Sequence, residues 1–146
     1  MVLPDVNILV AAYRSDAPAH AHCRAWLEKT LGGDEAFAIS ELALSGFLRI
    51  ATHPRVFAVP SPLDEAVQFA NTVRSQPHCV RISPGARHWA IFSRICREAE
   101  AAGNLVPDAY FAALAIEHGC EWITLDRDFA RFEGLRWRTP PHAATP

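Results

Sequence analysis

Lysine is nearly missing from this chain: Lys29 stands alone among fourteen basic residues, which leaves thirteen arginines in 146 positions. There is no G-x-x-x-x-G-K-[ST] run and no second lysine to clamp a phosphate, which excludes the common phosphotransfer machines. Cysteine is scarce too. Cys23, Cys79, Cys96 and Cys120 form no C-x-x-C pair and all lie among apolar residues. That spacing excludes a zinc ribbon or a disulfide framework, and predicts buried free thiols in a reducing cytosol. No apolar run approaches the ~20 residues of a membrane-spanning helix. The opening Met1-Val2-Leu3-Pro4-Asp5 lacks the basic stretch of a secretory signal. Repeats, low-complexity tracts and linkers are absent as well. The expectation is a soluble, cytoplasmic protein with one domain over residues 1–138 and a polar, Pro-rich, flexible tail over 139–146.

What is present suits a packed core. Half the residues are apolar, about a fifth are charged, and the net charge is -2. A chain of this length buries roughly two-thirds of its unfolded surface without staples. Disorder is excluded, and so is a generically basic nucleic-acid coat. The arginine excess suits bidentate recognition of phosphate or carboxylate, although GC-rich coding, which the many alanines also reflect, produces the same bias.

Short apolar segments alternate with helical ones. Residues 2–5 read as a strand, followed by helices over 8–14 and 18–31, the second ended by Gly32-Gly33. Residues 36–39 form the next strand. Ser40 then caps a helix in which Leu44, Phe47, Leu48 and Ala51 recur at helical spacing, and His53-Pro54 stops it. A helix over 63–74, a strand over 79–82 and a long helix from Pro84-Gly85 to Ala102 come next. Gly103-Asn104 breaks that helix. Pro107 belongs in the first turn of the following one, which Gly119 terminates. Residues 122–124 are a fourth strand and 135–138 a weaker fifth. Strands separated by helices predict an α/β fold, a three-layer α/β/α sandwich around a small central parallel sheet.

In such folds the functional crevice lies beyond the carboxyl ends of the strands. Asp5 closes the first strand, Glu41 follows the second, and Asp126 comes just after the fourth. Asp108 starts a helix, and Asp128 trails Asp126. One acid at a helix start needs no explanation beyond the ~0.3–1 kcal/mol it gains from the helix dipole. Four at one edge repel each other unless protons or a cation neutralise them. A hard divalent ion, Mg²⁺ or Mn²⁺, is the matching partner, and no His or Cys pair joins the acids to favour zinc. Such a pocket serves phosphate chemistry, and hydrolysis of a phosphodiester is what remains.

Asp5-Val6-Asn7, Ser40-Glu41, Pro107-Asp108-Ala109 and Thr124-Leu125-Asp126-Arg127-Asp128-Phe129, in this order and spacing, resemble the PIN-domain ribonucleases. Within that family the chain is similar to the VapC toxins of bacterial toxin–antitoxin pairs. The stretch Phe47-Leu48-Arg49-Ile50-Ala51-Thr52-His53-Pro54-Arg55-Val56-Phe57 resembles a subgroup common in mycobacteria and their relatives. The resemblance runs from Val2 to about Arg138. It implies Mg²⁺- or Mn²⁺-dependent cleavage of RNA, at a defined site in tRNA or rRNA, by a homodimer held in check by a VapB-type antitoxin. It also implies that Asp5 and Asp108 are the principal metal ligands, with Glu41 and Asp126 completing the site. Asn7 would orient Asp5 or a water, Thr124 would hydrogen-bond within the site, and Asp128 would support it. The implied reaction is in-line attack of water on phosphorus, with Glu41 or Asp126 assisting deprotonation and a 5′-phosphate as product.

Other features admit plainer accounts. His20-Ala21-His22-Cys23 sits where i and i+2 do not share a helix face, so a surface helix with one buried cysteine is expected rather than a metal site. Trp26 and Trp89 lie among apolar residues at helical spacing and are expected in core or dimer packing. Arg49, Arg55, Arg127 and Arg131 are candidates for RNA contact, as are Arg136 and Arg138, against the alternative of a solvated face. Two rival readings stand beside the toxin: another PIN nuclease acting in RNA processing or on structured DNA ends, and a non-catalytic module whose acids hold a structural ion.

Overall fold

A computed structural model describes residues 1–141. Its strands are β1 (Val2–Pro4), β2 (Phe37–Ser40), β3 (Cys79–Ile82), β4 (Glu121–Ile123) and β5 (Trp137–Arg138), and every pairing among them is parallel. The helices are α1 (Val6–Tyr13), α2 (His20–Gly32), α3 (Glu41–Ala51), α4 (Leu63–Arg74), α5 (His88–Glu98) and α6 (Leu105–Glu117). A 3₁₀ turn spans Arg127–Arg131.

Alternation along the strands sorts side chains into two cores. Phe37, Ile39 and Ile123 face a cluster with Ile8, Leu9, Leu27, Phe47 and Val73 from α1 to α4. Leu3, Ala38 and Trp122 face the other, with Ile95 from α5 and Ala109, Ala112 and Ala113 from α6. The small alanines of α6 let that helix lie close to the strands. The result is the expected α/β/α sandwich. Its centre, however, consists of two hydrogen-bonded ladders, β1–β4–β5 and β2–β3, rather than one sheet. β1 packs beside β2 without a ladder between them.

Element ends differ from the sequence reading for local reasons. α1 begins at Val6 rather than Ile8, because the Asp5 carboxylate accepts the Val6 N–H at 2.6 Å and caps the helix. Ser40 occupies the cap position of α3 with extended backbone, yet its side chain makes no capping bond. α5 stops at Glu98, not Ala102. Glu100 takes φ 50°, and the Glu100 and Ala101 N–H groups close back on Arg97 and Cys96 carbonyls at 3.2 and 2.9 Å. That is a Schellman end without glycine. α6 ends the same way with the expected residue, Gly119 at φ 65°.

Burial corrects three expectations. Cys23 and Cys120 are buried, but Cys79 and Cys96 are only half-buried, since both sit near the ends of outer elements. Trp26 is in the core as expected, whereas Trp89 is 71 % exposed in the first turn of α5. Thr139 and Pro140, grouped with the tail by composition, are still attached: Pro140 is buried and its carbonyl lies 2.6 Å from His22 Nε2. The rest of that tail, from residue 142, lies outside the described residues. Among the described residues no helix is long and apolar enough to cross a membrane.

Candidate active site

β1 and β4 are adjacent and parallel, with Pro4 opposite Ile123, so the residues just past each strand end meet. Asp5 and Thr124 are those residues. The Thr124 hydroxyl donates to Asp5 Oδ2 at 2.7 Å, and the Asn7 side-chain amide donates to the same oxygen at 3.2 Å. Asn7 also reaches Thr124 Oγ1 at 3.1 Å and accepts the Leu125 N–H at 3.1 Å. The Asp126 N–H closes the set on Thr124 Oγ1 at 3.0 Å. Two chain segments more than a hundred residues apart are thus tied by three side-chain bonds, and the Asp5 carboxylate is fixed in one orientation.

That carboxylate is 7 % exposed. Its pKa is raised from the ordinary 3.8 to about 6: burial raises it most, the Thr124 and Val6 bonds oppose this, and the charges of Asp108 and Asp126 add to the rise. Asp108, in the first turn of α6, is likewise raised, first by burial and then by Asp126 and Asp128. These acids therefore share one electrostatic environment. Among the described residues, no arginine, lysine or histidine forms an ion pair with any of them.

Asp5, Asp108 and Asp126 line one cleft of about 890 Å³, walled by α1, α3, the start of α6 and the chain after β4. The cleft is mostly apolar away from the acids. Asn7 lines it as well. Asp128 is exposed; its N–H donates to Asp126 Oδ1 at 2.9 Å, so it borders the acids rather than joining them.

Glu41 is the exception. It does not line the cleft, and its carboxylate pairs instead with Arg74 Nε at 2.9 Å on the outer surface of α3 and α4. The strand-end rule placed it one residue past β2, but the first turn of α3 directs it outward. Ser45, Gly46 and Arg49 form the cleft face of α3 in its place. Their i, i+1, i+4 spacing beside the buried Leu44 and Phe47 was available in the sequence as a second, non-core stripe. Tyr110 and Phe111 of α6 also line the cleft and were likewise not singled out. Of the arginine candidates, only Arg49 faces this space. Arg55 is exposed in the loop after α3, and Arg127 and Arg131 are exposed on the 3₁₀ turn next to Asp126. Arg136 is bound to the Gly119 carbonyl and Arg138 to Glu121.

The donor chemistry fits a hard cation: carboxylate oxygens only, two of them raised by burial and mutual repulsion, none neutralised by the protein. Among the described residues no three such side chains already stand in a ready ligand cluster, so closing onto an ion requires side-chain adjustment.

A family model described as the PIN domain matches residues 2–135. The chain belongs to the PIN-domain family. Within it, this PIN domain is 45 % identical over 141 residues to ribonuclease VapC25 of Mycobacterium tuberculosis, covering 97 % of this chain and 99 % of the relative. It is 40 % identical over 140 residues to ribonuclease VapC43 of the same organism, covering 96 % and 95 %. Among solved structures it is similar to VapBC2 from Rickettsia felis bound to a promoter DNA fragment, with TM-score 0.69, 18 % identity and coverage of 95 % and 98 %. The PIN domain's acidic edge is thus the expected one, with α3 as the wall that departs from expectation.

Proposed function

We propose that this protein is the toxin of a toxin–antitoxin pair, an endoribonuclease that hydrolyses RNA phosphodiester bonds at a divalent-metal site formed by Asp5, Asp108 and Asp126. The reading rests on one observation above all: carboxylates from the ends of β1 and β4 and the start of α6 converge in one cleft without a protein cation to neutralise them. The ribonuclease names of full-length relatives at 45 % and 40 % identity support it.

Mg²⁺, or Mn²⁺ in its place, would supply Lewis-acid polarisation of the phosphate and a more acidic attacking water. Asp5 and Asp108 would hold the ion, with Asp126 completing the set. Thr124 and Asn7 hold Asp5 Oδ2 while the Val6 N–H holds Oδ1, which fixes the direction of the remaining lone pairs. Asp126, half-exposed and tied only through one oxygen to the Asp128 N–H, is the carboxylate free to take the proton of the attacking water. Glu41 has no part in this step. The substrates expected are tRNA or rRNA in the cytoplasm, the product carries a 5′-phosphate, and the partners are a second copy of the chain and a VapB-type antitoxin.

The test incubates purified protein with total RNA, with and without Mg²⁺, and maps new 5′ ends by sequencing. Discrete Mg²⁺-dependent ends that vanish in Asp5→Ala are expected. Undiminished cleavage by Asp5→Ala would sink the assignment.

A further inference from the structure

The geometry points to Arg49 as the residue that seats an RNA phosphate opposite the carboxylates, an inference that rests on the ribonuclease reading above. It begins with a charge imbalance. Asp5, Asp108 and Asp126 bring negative charge to a cleft into which a polyanion must enter. Among the described residues, Arg49 is the only cationic side chain lining that cleft. It comes from α3, whereas the acids come from the ends of β1 and β4 and the start of α6, so it stands on a different wall.

Arg49 is also unspent. Arg14, Arg24, Arg74, Arg94 and Arg138 each hold a carboxylate at 2.6–3.1 Å. Arg87 and Arg136 are bound to backbone carbonyls. Arg49 has no hydrogen bond or ion pair among the described residues, although it shares a cleft with acids that have no ion pair either. A guanidinium presents parallel N–H groups that match two phosphate oxygens, and one left unpaired on a cleft wall keeps that fork available.

Its placement is fixed rather than incidental. Gly46, one helical turn before Arg49, lies against Val6: a Cβ there would come within 2.8 Å of Val6 Cγ2. Val6 follows Asp5 directly. The close crossing of α1 and α3 at Gly46 therefore packs the helix that carries Arg49 directly against the helix that Asp5 caps. With a phosphate on Arg49, the neighbouring phosphodiester of the strand lies towards the acids. This assigns Arg49 to substrate positioning.

The experiment compares Arg49→Gln, Arg49→Lys and, as a surface control, Arg97→Gln, an exposed arginine on α5 outside the cleft. Cleavage of a short RNA is followed with Mg²⁺ across a salt series, and the fold is checked by thermal denaturation. Arg49→Gln is expected to lower kcat/KM roughly 10- to 100-fold and to reduce the slope of log affinity against log salt by about one. Arg49→Lys should keep that slope while recovering only part of the rate. Replacing one phosphate of the RNA by an uncharged methylphosphonate should harm the natural enzyme at a single position and leave Arg49→Gln indifferent there. If the natural enzyme cleaves but Arg49→Gln matches Arg97→Gln in rate and slope, the phosphate role is overturned and the ribonuclease reading stands. A rate loss with an unchanged slope and no methylphosphonate position overturns it equally. If the natural enzyme cleaves no RNA, both readings fall together.

Discussion

Asp5 and Glu41 look alike in the sequence and end up as opposites. Each follows a short apolar strand, and each sits at the start of a helix. Asp5 is buried, bound by Thr124, Asn7 and the Val6 N–H, and raised to about pKa 6. Glu41 is exposed and holds Arg74 on the outside of the molecule. The difference lies in their neighbours. β1 has β4 beside it, whose end delivers Thr124 to Asp5, whereas past the β2–β3 pair the Glu41 carboxylate turns to Arg74 of α4. A strand end brings an acid to the edge; the partners around it decide whether it turns inward or outward.

That contrast breaks most sharply in activity. Asp5→Ala or Asp108→Ala should lower Mg²⁺-dependent RNA cleavage at least about a hundredfold, since loss of a metal ligand removes several kcal/mol of charge stabilisation. Glu41→Gln should stay within about threefold of the natural rate. Equal losses at Glu41 and Asp5 in a cleavage assay would show that α3 reorients in the working enzyme.

Next in size is a step in stability with pH. The folded protein holds the Asp5 proton more tightly than the unfolded chain does, about 6 against 3.8. Asp5 therefore contributes fully below about pH 4, and the contribution is lost as pH rises through 6. In EDTA the folded state should lose on the order of 2–3 kcal/mol across that window. Asp5→Asn should flatten the step and be the more stable protein at pH 7.5 in EDTA, measured by urea denaturation. Added Mg²⁺ should then stabilise the natural protein and leave Asp5→Asn unmoved.

Thr124→Val tests the tie itself. It removes the donor to Asp5 and orphans the Asp126 N–H, which costs about 1–3 kcal/mol of stability. It should also weaken Mg²⁺ binding by roughly 10- to 100-fold, read by calorimetry, because a positioning bond to a ligand is lost. The smallest effect belongs to the outer pair: Glu41→Gln should change stability by less than about 1 kcal/mol, as exposed ion pairs do.

Much of this was legible beforehand. Periodicity and the Pro and Gly breaks located the six α-helices and five strands of the described residues; the strand-end rule pointed to Asp5 and Asp126, and the helix-start position to Asp108. Three things were hidden. The true end of α5 depends on Glu100 accepting a left-handed backbone, which no residue preference foretells. The loss of Glu41 to the surface depends on Arg74, thirty-three residues away, lying within reach. The cleft face of α3 was hidden because Ser45 and Gly46 carry no chemistry of their own; they matter only once α1 is known to cross there.

The ladder that joins Val2 to Glu121 also governs when the acidic cleft can form. A chain emerging from the ribosome carries Asp5 almost from the outset, but Thr124 and Asp126 arrive only after more than four-fifths of the 146 residues are made. Any product of interrupted translation that stops short of β4 lacks Thr124 and Asp126, and Asp5 is then without the partners that hold it. The order in which the message is read therefore delays the gathering of the acids until the chain is nearly complete.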